Sequence, residues 1–269
     1  MSYVSKTFVS SDNSLASRDK RLSICLEANG FSFAEVSASG TLLSFGEAEG
    51  VHALTITQVM ADVKAFFAGI GLRPIGYRRM ELIVPSDESV WVPDELYSTM
   101  ANRKYLKLVG GSADSLMTCH SDALASTAVF AANEQVVTAF KVALPGLAVM
   151  HQHAKLAQAA PLSQTHPVLL TCWRPGRVDV AAFNGGRYLY GNTQSFNGKT
   201  EAVYHIVGIM KSYGLEGTDT ELLLCGDVDR HLYGLLQPYF PKVSLYSGGI
   251  GVGQEFRTLH TYRHALILM

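Results

Sequence analysis

The sequence predicts an α/β protein made of two lobes, each with three antiparallel strands followed by a helix, a strand, a helix and a strand. Three observations support this prediction. Alternating apolar and polar residues mark short strands, and turns rich in Gly separate them. The same order of elements then returns about 140 to 146 residues further along the chain.

The first lobe begins after a polar segment, residues 1–20, for which we predict frayed ends rather than secondary structure. Residues 22–26 alternate between apolar and polar side chains, as in a half-buried strand. Asn29-Gly30 follows as a hairpin dipeptide, because both residues tolerate positive φ. Residues 31–36 and 41–45 form the second and third strands of the predicted antiparallel sheet.

A helix, a strand and a long insertion complete the first lobe. Apolar residues recur at helical spacing after Thr57, the predicted cap, and Gly71 is the predicted end of that helix. Residues 80–84 form a short apolar strand. An insertion of roughly residues 90–122 comes next, before the helix end and strand predicted within residues 140–149.

The second half of the chain repeats the order found in the first. Strands are predicted at residues 168–173 and 178–183 and around Tyr190, and a helix at residues 201–213. A strand at residues 221–225 and a further helix end and strand within residues 236–245 complete the repeat. The proposed correspondences pair Gly30 with Gly176, Gly40 with Gly186, Gly71 with Gly214 and Glu81 with Glu221.

These correspondences predict an internal duplication and three segments. Residues 1–20 form the polar terminus, residues 21–155 the first lobe with its insertion, and residues 156–269 the second lobe. The alternative is that two unrelated α/β lobes lie in one chain, because short strands and Gly turns are common.

Composition narrows the classes of function. The chain is 48% hydrophobic and 17% charged with a net charge of −1, and it has no basic stripe of the kind that nucleic-acid binders carry. We expect neither a signal sequence nor a membrane span, because the first residues show no charged-then-apolar pattern and no apolar stretch reaches roughly 20 residues. Its four cysteines are scattered without CxxC spacing, which predicts buried free thiols and a cytoplasmic protein.

Three antiparallel strands followed by helix, strand, helix and strand form the ribonuclease-H-like layout. Two such lobes resemble the actin, hexokinase and Hsp70-type ATPase fold, in which a cleft lies between the lobes. Residues 30–33 (GFSF) and 183–196 (FNGGRYLYGNTQSF) are similar to a bacterial family, domain of unknown function 3822, whose members are described as having an actin-like ATPase fold. The resemblance begins near Leu22 and implies no established reaction.

The resemblance implies a nucleotide site between two Gly-bearing hairpins, with acidic residues that hold Mg²⁺. The first hairpin of active relatives resembles D-x-G-[ST]. In this chain residues 27–32 read EANGFS, so the acid is Glu27, and it lies one residue further from Gly30. Glu27, Asn29 and Gly30 are therefore candidate nucleotide contacts with altered geometry.

The second hairpin, residues 173–177 (WRPGR), contains no acid. The segment that would contact adenosine offers one glycine, Gly226, followed by Asp227. We therefore expect a degenerate, non-hydrolysing cleft without a bound cofactor; ATP with magnesium is the alternative. Arg174, beside Gly176, could still bind an anion through its guanidinium fork, and the other interpretation is a solvated turn arginine.

Two further groups of residues are candidates for an anion site and a metal site. Gly248, Gly249 and Gly251 follow a predicted strand and precede a helix expected from Gln254, a context that suits anion binding; a flexible turn is the alternative. The chain also has several histidines, two of which alternate on a predicted strand, but their spacing does not predict a metal site. The residues in question are His151, His153, His166 and the pair Cys119-His120.

Two hypotheses about function follow. The first is a non-catalytic actin-like protein, with no catalytic residues, that serves as a scaffold or binds a protein partner or itself. Its contact surface would lie in the insertion, which contains Trp91, Tyr97 and Tyr105, although such aromatic residues also pack locally. The alternative is an ATPase with weak or retained activity that uses Glu27, Asp227 and the 248–253 loop.

Overall fold

The computed structural model describes residues 4–9, 19–28, 30–49, 56–69, 76–111 and 114–269. The chain divides into two compact units. The first unit comprises Met1–Gln152 with Ile250–Leu259 and Leu268, and the second comprises His153–Gly249 with His260–Ile267 and Met269.

The first unit contains two sheets and the helices that pack on them. Its elements in chain order are β1 (Val4–Val9), β2 (Lys20–Glu27), β3 (Gly30–Val36), β4 (Leu42–Glu49), α1 (Ile56–Gly69), β5 (Tyr77–Val84), β6 (Ser89–Pro93), α2 (Asn102–Leu108), β7 (Leu116–Ser121), β8 (Ser126–Ala131), α3 (Glu134–Ala143) and β9 (Ala148–His151).

The second unit contains one sheet. Its elements, after α4 (Gln152–Leu156), which begins at the last residue of the first unit, are β10 (Val168–Arg174), β11 (Arg177–Asn184), β12 (Arg187–Ser195), α5 (Lys199–Ser212), β13 (Glu221–Gly226), α6 (Arg230–Leu236), β14 (Lys242–Leu245) and α7 (Ala265–Leu268).

The main sheets of the two units share one topology. The larger sheet of the first unit has the order β1-β4-β3-β2-β5-β9, and the sheet of the second unit has the order β12-β11-β10-β13-β14. In both, the first three strands of the meander are antiparallel and the next two strands join in parallel. The predicted pair of ribonuclease-H-like lobes is thereby confirmed.

The sheets are stabilised by burial of one apolar face under helices. In the first unit α1 and α3 cover β3, where Phe31 contacts Phe66 and Phe140 edge to face, with ring centroids 5.0 and 5.1 Å apart. In the second unit α5 and α6 contribute Ile206 and Leu232 to a fully buried core. Aromatic pairs of this geometry add roughly 0.5–1.5 kcal/mol each beyond the area that they bury.

Gly30 is required by the close approach of β4. A Cβ at this position would overlap the backbone carbonyl oxygen of Ala48 on the neighbouring strand. The neighbouring strand β4 therefore leaves no room for a side chain at Gly30. Its neighbour Asn29 lies outside the described residues.

Strand register corrects part of the predicted repeat. Glu27 pairs with Gly30 and Arg174 with Arg177, so the two hairpins superpose with Glu27 on Arg174. Ser23, which pairs with Glu81, is then equivalent to Leu170, which pairs with Leu223. Glu81 thus matches Leu223 rather than Glu221, and Gly30 matches Arg177 rather than Gly176.

Several predicted boundaries were wrong. The segment expected to be frayed contains β1, which pairs antiparallel with β4. Helix α1 begins at Ile56, so Thr57 lies inside the helix, whereas Gly71 lies outside the described residues. The inserted region extends to Ala131 and forms its own sheet in the order β6-β8-β7.

All four cysteines are buried and free, as predicted. Two of them, Cys172 and Cys225, lie side by side on the parallel strands β10 and β13. A hydrogen bond between their side chains, together with burial, raises the pKa of the Cys172 thiol. These thiols therefore behave as small core side chains.

Candidate functional site

The first hairpin carries its candidate acid at the end of β2. Glu27 is exposed and accepts a hydrogen bond from Ser32 Oγ at 3.1 Å. Ser32 is buried on β3, so this bond ties the carboxylate to the neighbouring strand. Glu27 is thus placed at the carboxyl end of a central strand, where ligands of α/β proteins are bound.

The second hairpin contains a buried ion pair that sequence reasoning missed. Arg174 Nε donates to Asp179 Oδ2 at 3.0 Å, and Arg174 Nη2 donates to Asp179 Oδ1 at 2.9 Å. The Arg174 side chain is 22% exposed, and the Asp179 side chain is fully buried. Such bidentate pairs are the strongest geometry available to Arg and a carboxylate.

Asp179 is also held by two other side chains. Thr193 Oγ1 on β12 donates to Asp179 Oδ1 at 2.6 Å, and His153 Nε2 lies 3.8 Å from the same oxygen. Burial would raise the pKa of Asp179, but the charges of Arg174 and His153 and the hydrogen bonds outweigh burial and lower it. The negative charge of Asp179 is therefore compensated within the protein, chiefly by the guanidinium of Arg174.

His153 also contributes to this network. It is 2% exposed, and its Nε2 lies 3.2 Å from Thr193 Oγ1. Burial lowers the pKa of His153, and the opposing charge of Asp179 only partly offsets this effect. The position of His153 also corrects a prediction, because it lies in α4 and does not alternate with His151 on one strand.

The structure brings three candidate residues together at the carboxyl end of the second unit's sheet. Gly226 ends β13 opposite Trp173, and a Cβ at Gly226 would overlap the Trp173 carbonyl oxygen. The backbone N–H of Asp227 donates to that same oxygen at 2.8 Å. Gly176 is nearby, since its carbonyl oxygen accepts from the N–H of Phe196, whose ring contacts Trp173.

A charged pair lies beside these residues. Asp229 caps α6 by accepting from the N–H of Leu232 at 2.8 Å, and it forms a short ion pair with Lys199 at the start of α5. The hydrogen bond from Lys199 and the cap lower the pKa of Asp229. Asp229 therefore both caps α6 and forms an ion pair with Lys199 at this end of the sheet.

The candidate Gly loop is divided between the two units. Gly248 and Gly249 have φ of 80° and 72° and belong to the second unit. Gly251 belongs to the first unit, where its N–H donates to Gly40 O and its carbonyl oxygen accepts from Leu42 N, at 2.8 and 2.9 Å. The prediction of a helix from Gln254 was wrong, because only a three-residue 3-10 turn, Gln254–Phe256, forms there.

The first unit buries the carboxylate of Glu81, which sequence reasoning named only as part of the repeat. Glu81 is fully buried on β5, where it accepts from Ser23 Oγ at 2.6 Å and lies 2.9 Å from Arg79 Nε. At the carboxyl ends of β5 and β9, the amide of Gln152 bridges both backbone groups of Ser86, at 3.0 and 2.8 Å. Polar groups at this end of the sheet are thus bound to one another.

Among the described residues, no group of three or more His, Cys, Asp or Glu side chains is arranged to hold a metal ion. Besides His153, which lies near Asp179, two of the candidate histidines have acidic neighbours. His120 Nε2 lies 3.0 Å from Asp94, and His166 Nε2 lies 2.9 Å from Glu221.

Comparison with known proteins identifies both a family and a fold. The family model described as "Protein of unknown function (DUF3822)" matches residues 10–243. A Bacteroides thetaiotaomicron protein with an actin-like ATPase fold and unknown function is 17% identical, with a TM-score of 0.69 over 90% of this chain and 96% of that one. No curated protein matches the chain.

Two further solved structures share the fold at low identity. The PilM–PilN type IV pilus biogenesis complex aligns at 12% identity and a TM-score of 0.56, over 92% of this chain and 96% of the other. Ethanolamine utilization protein EutJ from Carboxydothermus hydrogenoformans aligns at 9% identity and a TM-score of 0.50, over 93% and 90%. Within the described residues, no helix is long and apolar enough to cross a bilayer.

Proposed function

The chain belongs to the DUF3822 family of proteins of unknown function and has the actin-like ATPase fold, and from this premise we propose that it is a non-catalytic module that binds a protein partner. In this proposal the fold is kept as a scaffold while ATP hydrolysis has been lost. No cofactor is required.

One observation carries the proposal. Asp179 is the only acidic residue between Val168 and Ser195, the whole antiparallel meander of the second unit. It is fully buried, and its oxygens are occupied by Arg174 and Thr193. A hydrolysing site needs carboxylates that reach Mg²⁺ or the attacking water, and this meander offers none that is exposed.

Two other acids near the ends of the strands, Asp229 and Glu27, are engaged as well. Asp229 is held by Lys199 and by the start of α6, and Glu27 is Glu rather than Asp and bonds Ser32. Loss of one positioned proton-transfer group typically lowers a rate about 10²–10⁴-fold. Together these changes at the acidic residues support the proposal that the chain does not hydrolyse ATP at a measurable rate.

The partner-binding part of the proposal is supported by the fold neighbours. One of them, PilM, is seen in complex with PilN, so a protein with this fold can act through a protein partner. That likeness is an analogy at the level of the fold. The four buried free cysteines support a location in a reducing compartment, and we propose the bacterial cytoplasm.

A second candidate function is nucleotide binding with weak hydrolysis. It is favoured by Gly226 and Asp227, which place a tight turn against Trp173 and an exposed carboxylate at the carboxyl end of β13. In that reading Asp227 contacts magnesium-bound ATP at the end of β13.

Thermal stabilisation by nucleotide separates the two candidates. A ligand at about a hundredfold excess over its dissociation constant stabilises the folded state by roughly 2.7 kcal/mol. We expect no change in melting temperature with millimolar Mg·ATP or Mg·ADP. A rise in melting temperature that Glu27→Ala abolishes, and that Glu95→Ala leaves intact, would establish the second candidate instead.

A further inference from the structure

The inserted region exposes an unusual number of large apolar side chains. Between Asp94 and Gly111 four of them are largely solvent-accessible: Leu96 (69%), Met100 (95%), Leu108 (82%) and Val109 (54%). Singly exposed apolar residues are ordinary, but four within residues 96–109 make this stretch the candidate for an interaction site. We use the term insertion surface for these four residues together with Arg103, Lys104 and Lys107.

The exposed residues are held in place by ordered packing. Tyr105 Oη donates to Leu96 O at 2.6 Å and accepts from Ser98 N at 3.0 Å, so the segment before α2 is fastened to that helix. The ring of Tyr97 stacks on Tyr105, with centroids 6.3 Å apart, and Leu106 is buried beneath. The surface is therefore preorganised, which lowers the entropic cost of binding.

The aromatic residues predicted to form a contact surface have a different role. Tyr97 and Tyr105 pack on each other, and Trp91 contacts the ring of His151, with centroids 5.8 Å apart. They support the insertion from within, and the aliphatic residues Leu96 and Met100 face solvent.

The charge of α2 indicates what kind of partner fits. Residues 94–111 contain three exposed basic residues, Arg103, Lys104 and Lys107, all in α2, and two exposed acids, Asp94 and Glu95, before Leu96, so the stretch has a net charge of +1 with its positive charge concentrated on α2. Lys104 and Leu108 are four residues apart, so they are neighbours on one helical face. An apolar contact bordered by positive charge is complementary to an apolar segment bordered by carboxylates.

The same charge disfavours self-association through this surface. A two-fold dimer would set the same patch of two copies face to face. With three basic and two acidic residues in residues 94–111 of each copy, two surfaces of the same net sign would face each other, and like charges placed together cost energy. A second copy is therefore a poorer fit than an acidic partner.

We infer that the insertion surface binds an acidic amphipathic segment of a partner protein. This inference rests on the proposed function, because it names the surface through which partner binding would occur. Leu96, Met100 and Leu108 supply the apolar contact, and the basic residues of α2 select for acidic partners.

Peptide binding tests the inference with defined probes. One labelled peptide repeats Leu-Glu-Glu-Leu over about 18 residues, five helical turns, and its counterpart repeats Leu-Lys-Lys-Leu. Fluorescence anisotropy with the full chain should show binding of the acidic peptide and at least about tenfold weaker binding of the basic one. Raising NaCl from about 0.1 M to 1 M, which shortens the Debye length from about 10 to 3 Å, should weaken it further.

Two surface variants locate the site. Leu96→Ser combined with Met100→Ser and Leu108→Ser removes the apolar contact, and Lys104→Glu combined with Lys107→Glu reverses the charge. Each should weaken binding of the acidic peptide about tenfold or more. The matched control Tyr204→Ser with Leu245→Ser, at exposed positions of the second unit, should bind as the unaltered chain does.

Three outcomes would overturn the inference. These are equal affinity for both peptides, no binding of the acidic peptide, or equal losses in the surface and control variants. Cosedimentation with vesicles containing phosphatidylserine that the charge variant abolishes would assign the surface to anionic lipid instead. Stabilisation by Mg·ATP would count against the proposed function alone, so the two failures are distinguishable.

Discussion

Replacing Asp179 with alanine is expected to lower the free energy of unfolding by about 3–5 kcal/mol, the usual cost of removing one partner of a buried ion pair. Arg174 would lose both of its hydrogen bonds to the carboxylate, and Thr193 would lose its acceptor. The guanidinium is only partly exposed, so water can replace only part of what is lost.

Urea unfolding of four proteins measures this effect. Beside the unaltered chain and Asp179→Ala, Arg174→Met with Asp179→Leu removes both charges and should recover much of the stability, because apolar pairs of similar size substitute well for buried ion pairs. Glu95→Ala, an exposed acid, serves as the control and should change little. A loss below about 1 kcal/mol in Asp179→Ala would show that the network contributes little to the fold.

Acidification from pH 6.5 to pH 5 is expected to cost the fold roughly 2 kcal/mol through His264. Burial, with Arg263 and His260 nearby, lowers the pKa of His264 from 6.5 to about 4. The unfolded chain therefore takes up a proton in this range and the folded chain does not. The free energy of unfolding falls as pH falls, by up to about 1.4 kcal/mol per pH unit. His153, whose pKa is also lowered by burial, adds a loss of the same sign.

The pH dependence of unfolding in variants assigns this slope. His264→Gln should flatten the decline in stability between pH 6.5 and pH 5, whereas His231→Gln, at an exposed position in α6, should leave it unchanged. An identical slope in all three proteins would show that His264 is not the group that titrates. Stability that rises on acidification would contradict the sign of the effect.

The sequence predicted the two lobes because their signals are local. Alternation at residues 22–26 and the turns at Gly40 and Gly186 are visible in short windows, and β2, β4 and β12 appear where these windows place them. Strand β1 was missed because it is a short edge strand whose pairing with β4 depends on residues far along the chain.

The ion pair in the second hairpin required knowledge of register. Arg174 pairs with Arg177 and Cys172 pairs with Asp179, so Arg174 and Asp179 lie diagonally on one face of the sheet. Diagonal neighbours of this kind are within reach of long side chains. The two-residue turn and the single acid on β11 were the signal that could have revealed the pair.

Side-chain exposure in the insertion could not be predicted from composition. Tyr97, Tyr105, Leu96 and Met100 are all apolar or aromatic, and only the folded backbone determines which of them pack inside. His153 was wrongly assigned to a strand for a related reason. The strand ends at His151 and the helix begins at the next residue, Gln152, so no turn residue in the sequence marks the boundary.

The rate of ATP hydrolysis by the purified chain with magnesium tests the central claim most directly. The account predicts phosphate release no faster than in a Glu27→Ala, Asp227→Ala double variant prepared in the same way. For scale, a median enzyme turns over at about 10 s⁻¹. Phosphate release much faster than in that variant would show that the fold still performs ATPase chemistry and would contradict the central claim.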